Sequence, residues 1–322
     1  MAGYRWWSNE VPEHVSKPCK TLLHKFSEAG GEDDEGYTIN PYKGCAHRCV
    51  YCYATYEWSP DFYDVVIAKS NAHEVLLHDI LKEGRRNVTN VLISSATDCY
   101  QPAEGKYKLT RKCIEILQRL EIPYTIITKS STVLRDLDLH RRYKERCSII
   151  WSLTTVDENL KRIIEPNASP ARSILKAVRV FSSHGVRVGI NLDPIIPGLN
   201  DGEEQLRETV EKAVDAGARF VGSAVLRLRS DIWIRLRRLL ESEGMYKALR
   251  KIEEVYFRYP IKMGYYYLAH PRYVSEKQSY VEMLVKRCGG SYGLAQEDTQ
   301  HEPCYVKASQ LSSNQRRLTL YV

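Results

Sequence analysis

The sequence predicts an α/β fold: an open, curved sheet of six parallel strands, each followed by a helix, that closes part of a barrel. Two observations predict it. Short β-branched runs alternate with longer stretches of helical periodicity, which is the signature of βα units repeated around a parallel sheet. Six such units fall short of the eight that close a barrel, so the sheet stays open, and its functional loops belong at the C-terminal ends of the strands.

The elements follow in order. Residues 1–36 read as an irregular lead-in that ends in the polar run 30–36, a stretch unable to bury enough apolar area to order itself. Strands are predicted over 37–40, 88–95, 124–128, 148–154, 187–192 and 220–226. Between them the amphipathic stretches 72–82, 110–120, 133–146, 171–184 and 203–216 predict helices, and 231–240 predicts a sixth. Gly185 and Gly217 stand where two of these helices should stop. Residues 241–322 read as a helical and irregular extension with its own helix near 246–257, which gives three units: 1–36, 37–240 and 241–322.

Composition narrows the function. With 322 residues, 43% of them hydrophobic and 27% charged, the chain suits a globular protein with one large domain. No stretch approaches the roughly 18 apolar residues of a membrane span, and residues 1–10 lack the apolar core of a signal peptide. A cytoplasmic location without membrane contact is expected. Nine cysteines, an odd number spread thinly, point to metal binding or redox chemistry rather than a disulfide framework. A net charge of +7 suits an anionic partner such as nucleic acid, although it also serves simply to solvate a surface. The 22 tyrosines, against 5 phenylalanines, could stack on bases or sit half-buried.

One segment carries specific chemistry. Residues 40–54 place Cys45, Cys49 and Cys52 in a C-x3-C-x2-C pattern directly after the first strand. Thiolates are soft ligands that suit iron–sulfur clusters or zinc. A structural zinc site needs four protein ligands, for which His47 is the nearest candidate, whereas a cluster held by three cysteines leaves one iron open. Gly36 and Gly44 permit the tight turns such a loop requires.

This motif, with Tyr51 before its last cysteine, resembles the radical S-adenosylmethionine (radical SAM) superfamily. The run 40–54 is similar to the spore photoproduct lyase-like branch, also described as DNA repair photolyases, and the resemblance covers residues 37–230, about three fifths of the chain. It implies a partial (β/α)6 radical SAM barrel and a 4Fe-4S cluster on Cys45, Cys49 and Cys52, whose open iron is chelated by the amino and carboxylate groups of S-adenosylmethionine. An electron from a donor such as ferredoxin or flavodoxin would cleave the S–C5′ bond, giving methionine and a 5′-deoxyadenosyl radical that abstracts hydrogen from a substrate.

The resemblance also implies cofactor contacts. Thr97 and Asp98, in the polar stretch 94–104 after the second strand, match the holders of the methionyl amino group. Lys129 matches a contact to the nucleoside or methionine, Ser152 a ribose contact, and Arg172, following Glu165-Pro166, a partner of the methionyl carboxylate. Tyr51 resembles the aromatic beside the adenine and Tyr53 a second tyrosine of the site, while Arg227 is a further contact candidate. Strand alternation puts Asn191 and Asp193 on one face, expected to point into the barrel. Without the resemblance these residues read as a helix cap or turn, a strand serine, core aromatics and solvated charges.

The match breaks at one position. Where the branch has a hydrogen-donor cysteine, three residues before the Asp, this chain has Ser95, whose O–H bond is too strong to quench a carbon radical readily. Cys99 is the candidate replacement. Cys288, His301 and Cys304, with His270, offer scattered ligands for a second cluster, and the basic stretch 227–238 could meet phosphates or face solvent. Three readings follow: a radical enzyme acting on nucleic acid, with photoproduct-like repair as the nearest named activity; one that modifies a peptide, tRNA or small metabolite; and a zinc-stabilised binding module without catalysis.

Overall fold

A computed structural model describes residues 12–25, 36–56 and 62–294 of the chain. The six predicted strands form and lie side by side in chain order: β1 (Tyr37–Ile39), β2 (Val91–Ile93), β3 (Tyr124–Thr128), β4 (Cys147–Ser152), β5 (Arg187–Ile195) and β6 (Phe220–Val225). All five neighbouring pairs are parallel. The result is the mixed α/β, parallel-stranded partial barrel that the residue pattern predicts.

Pairing register explains how this sheet separates a core from a site. Ile39, Ile93, Ile126, Ile149 and Val188 form one row across five strands, and each is fully buried beneath the helices. Burying one such side chain is worth about 1.5–3 kcal/mol. Residues one step along each strand point the other way, into the barrel. There Ile127, Ile150 and Phe220 form a small apolar cluster with Leu294, beside Gly189, where an added Cβ would fall 2.1 Å from the Phe220 ring. One row higher the interior becomes polar: Ser152 pairs with Asn191, and Asn191 with Gly222.

The helices are α1 (Ala72–Glu83), α2 (Pro102–Tyr107), α3 (Leu109–Arg119), α4 (Leu137–Arg142), α5 (Glu158–Ile164), α6 (Ala171–Ser183), α7 (Glu203–Asp215), α8 (Ser230–Ser242), α9 (Tyr246–Phe257) and α10 (Pro271–Arg287). Several differ from expectation. The predicted helix over 133–146 is divided, with the 3-10 turns Ser131–Asp136 and Lys144–Arg146 flanking α4. Its apolar spacing is helical, but the buried Asp136 receives hydrogen bonds from Arg111 and Arg135, which fixes the first turn in a tighter form. β5 continues through the cis Asp193–Pro194 bond to Ile195, beside a register shift in β6 between Ser223 and Val225.

Segments outside the six units also build sheet. Glu13–Lys17, in the stretch read as irregular, pairs parallel with Val65–Lys69, which pairs antiparallel with Tyr42–Lys43. His24–Lys25 and Ser291–Tyr292 extend the barrel sheet at its two edges. A third small sheet joins Leu228–Arg229 to the hairpin Ile261–Met263 and Tyr266–Leu268. Among the described residues no helix is long and apolar enough to cross a membrane.

Candidate functional site

The cysteine loop leaves β1 at the C-terminal edge of the sheet and is gripped by four elements. Gly44 turns it with φ +80°; a Cβ there would lie 2.2 Å from the Val65 carbonyl oxygen and 3.0 Å from that of Phe62. Only glycine fits. The Cys45 amide then donates to the Phe62 carbonyl at 3.1 Å. From the loop after β2, the buried Gln101 donates to the Gly44 carbonyl at 3.1 Å and accepts from the Ala46 amide at 3.0 Å. The end of α5 accepts from the Val50 amide through Ile164 at 3.0 Å, while Asn167 donates to Ala46 at 2.9 Å. From α8, Arg235 donates to the carbonyls of Val50 (3.1 Å) and Cys52 (3.0 Å).

Held this way, Cys45 and Cys49 are buried, Cys52 is half-buried, and all three are free thiols within electrostatic range of one another. Burial, reinforced by Asp98 and Cys52, pushes the Cys45 thiol up to about 12. Burial and Glu165 raise Cys49 well above the ordinary thiol range, and burial raises Cys52 against the opposing pull of the Ala54 amide and Arg235. Thiols that resist ionisation become thiolates when they bind cations. The donor set fits a cluster better than a single ion. His47, the histidine within the loop, is buried with Nδ1 3.4 Å from Asp98. Among the described residues no three His, Cys, Asp or Glu side chains gather round a single point, whereas a cube needs each thiolate at a separate corner.

The strand ends bring most of the other predicted residues to the same mouth. Asp98 is buried, and both of its oxygens are engaged. Oδ1 accepts from the Tyr100 amide (2.8 Å) and the Thr128 hydroxyl (2.8 Å); Oδ2 accepts from the Lys129 amide (2.7 Å) and faces His47. It therefore ties the ends of β2 and β3 to the cysteine loop. The Thr97 hydroxyl donates to the Gly44 carbonyl. Lys129 extends to within 3.8 Å of Glu165 and lies 5.6 Å from the centre of the Tyr51 ring. Burial works against its charge, but Glu165, Cys49, Asp193 and Asp98 outweigh this and raise its pKa. Tyr51 is buried and donates to Glu165, whereas Tyr53 is half exposed at the mouth and donates to the Ser95 carbonyl. Asn191 lies 3.4 Å from Asp193 on the interior face beside Ser152, and burial raises the Asp193 carboxyl against the pull of Arg227 and Lys129.

Other predicted residues lie elsewhere or are already engaged. Arg172 is exposed on the first turn of α6, where its amide caps onto Glu158 at 2.8 Å. Ser95 is held by Thr38 (2.8 Å) and Asn40 (2.9 Å). Cys99 has no exposed surface and is packed in the core, its amide on the Ser94 hydroxyl at 2.8 Å. In the basic stretch, Arg229 and Arg235 are buried against the cysteine loop, Arg237 pairs with Glu241, and Arg227 is exposed. Cys288 is half-buried at the end of α10, and His270 caps the start of that helix; His301 and Cys304 lie outside the described residues.

Sequence reasoning missed the buried ionic group behind Tyr51. Glu165 accepts from Lys161, Tyr51 and Thr154, the last at 2.9 Å, and all four are buried. Burial opposes its charge, but Lys161 and Lys129 bring its carboxyl down to about 2. The available signal was the i,i+4 spacing of Lys161, on a seven-residue helix too short to show a period, and Glu165 just past its end.

A family model described as the radical SAM superfamily matches residues 39–213. An uncharacterized protein of Mycobacterium tuberculosis is 32% identical over 220 residues, which cover 66% of this chain and 64% of that protein. The chain thus spans just under two thirds of that relative's length. An uncharacterized protein of Methanocaldococcus jannaschii is 32% identical over 178 residues, 54% of this chain and 65% of that protein. Among solved structures, spore photoproduct lyase with bound AdoMet and dinucleoside spore photoproduct superposes with a TM-score of 0.61 at 17% identity, covering 87% of this chain and 81% of that one. A tyrosine variant of the same lyase gives a TM-score of 0.65 at 16% identity, with coverage of 89% and 87%. At such identity the likeness is one of fold.

Proposed function

The chain belongs to the radical SAM superfamily, and from that premise we propose that it is an enzyme in which Cys45, Cys49 and Cys52 hold a 4Fe-4S cluster and the barrel mouth takes S-adenosylmethionine together with a nucleic acid. The carrying observation is the cysteine loop itself: three neighbouring thiols on one turn, whose own histidine, His47, faces Asp98. When bound, the cluster supplies one electron, from a donor such as ferredoxin or flavodoxin, that splits the sulfonium and yields the hydrogen-abstracting 5′-deoxyadenosyl radical. The chain's own residues position the reactants. Lys129, 3.8 Å from Glu165, would offer its cation to the nucleoside or methionine, Ser152 and Asn191 would offer hydrogen bonds within the barrel, and Tyr53 would offer a ring at the rim.

The nucleic-acid reading rests on the hairpin. Leu228–Arg229 follows β6 directly and pairs with Tyr266–Leu268, so the hairpin stands at the barrel mouth. Tyr265 at its turn is 87% exposed and Tyr259 at its base 67%, with Arg258 over the Tyr259 ring and Lys262 over that of Tyr267. Aromatic rings interleaved with cations make a stacking platform for unpaired bases. Radical quenching by Cys99 is not part of this proposal, because its thiol lies in the core.

Binding of the reconstituted protein to single-stranded DNA and RNA at several salt concentrations tests the proposal. A log–log slope of about −0.7 per phosphate contacted is expected, with about 5- to 100-fold weaker binding for Tyr265→Ala. Binding that is absent, or indifferent to both salt and the hairpin tyrosines, would favour a peptide or small-metabolite substrate.

A further inference from the structure

Two buried arginines far along the chain reach the cysteine loop, Arg235 from α8 and Arg229 from the strand just before it. Arg235 donates to the carbonyls of Val50 and Cys52, and Arg229 donates at 3.1 Å both to the Tyr53 carbonyl and to the Thr55 hydroxyl. Thr55 in turn donates to the Cys52 carbonyl at 3.1 Å. Both guanidiniums share one carboxylate, Asp231, at 2.7 Å. Among these three groups, two positive charges and one negative leave a net +1 behind Cys52, with the carboxylate the most exposed of the three.

Neutral donors would satisfy the loop carbonyls without the cost of burying charge, so two buried charged donors point to a further role. A cluster on three thiolates becomes more negative when reduced, and a fixed cation in a poorly solvated site stabilises the reduced form. We infer that Arg235, acting with Arg229 and partly balanced by Asp231, is a positioning residue that sets the cluster's reduction potential. The inference rests on the cluster reading above. A unit charge held beside the loop in a poorly solvated site is expected to change the ratio of reduced to oxidised cluster on the order of tenfold at fixed potential. That is about 59 mV for a one-electron couple.

The test is a potentiometric titration followed by electron paramagnetic resonance, on the full chain reconstituted without oxygen, with iron and sulfide measured on each sample. Arg235→Gln removes one positive charge and should lower the midpoint by about the tenfold equivalent, while Asp231→Asn removes the negative charge and should raise it by a similar amount. Arg235→Lys keeps the charge and should stay near the wild type. A purely structural role would move the first two variants in the same direction or leave both midpoints unchanged, and either result overturns the inference. If Arg235→Gln loses its iron, Asp231→Asn decides alone, and a midpoint that is unmoved or lowered counts against the inference. A wild-type chain without iron overturns the cluster reading instead, and this inference with it.

Discussion

Replacing Glu165 with glutamine keeps the shape of a fully buried side chain and removes the charge that both Lys161 and Lys129 face. The Tyr51 and Thr154 hydroxyls still find an acceptor oxygen, but Lys161, itself buried, loses its counter-ion. The size of the effect follows from the carboxyl's depressed pKa. A fall from 4.5 in the unfolded chain to about 2 in the folded one contributes about 3 kcal/mol of stability at neutral pH. Stripping one member from a buried ion pair generally costs about 3–5 kcal/mol, which agrees. Because the folded pKa lies below the unfolded one, this stability is complete above about pH 4.5 and disappears as the pH falls towards 2. Urea unfolding of wild type and Glu165→Gln should therefore differ by about 3 kcal/mol at pH 7, with the gap narrowing below pH 4.5. A gap under about 1 kcal/mol at pH 7, or one of constant size down to pH 3, would refute the reasoning.

Other substitutions probe the loop and the mouth. Gly44→Ala should leave the barrel folded but displace the loop, because the new Cβ meets backbone atoms of Phe62 and Val65 that cannot rotate away; measured iron content should drop by more than half while circular dichroism is retained. Asp98→Ala orphans the Lys129 amide, the Tyr100 amide and the Thr128 hydroxyl, and denaturant unfolding should show a loss of at least about 3 kcal/mol. Tyr265→Ala, at an exposed hairpin turn, should change stability by less than about 0.5 kcal/mol, so any loss of nucleic-acid binding would report the surface itself.

How much of this could be read from the sequence depends on how local each interaction is. β2 and β4 are buried on both faces, so Val91-Leu92-Ile93 and Ile149-Ile150-Trp151 read as plain apolar runs. The three cysteines lie within eight residues, and their spacing carried the chemistry directly. The clamps on that loop are different. Arg235 reaches Val50 across 185 positions, and on paper it is one basic residue in a helix of several. Lys161 likewise resembles a solvated helix lysine, and only the packing of α5 behind Tyr51 makes it a buried counter-ion. Two-residue edge strands such as His24–Lys25 and Ser291–Tyr292 are too short to have a period. α10 did carry a signal: Pro271 at its start, then Val274, Val281, Leu284 and Val285 at helical spacing.

The cysteine loop is tested most directly by measuring 5′-deoxyadenosine formed from S-adenosylmethionine under reducing, oxygen-free conditions. The wild-type chain is expected to form it and Cys49→Ala to form none. Product from Cys49→Ala at the wild-type rate, or a colourless wild-type chain that carries one zinc and makes no product, would contradict the account.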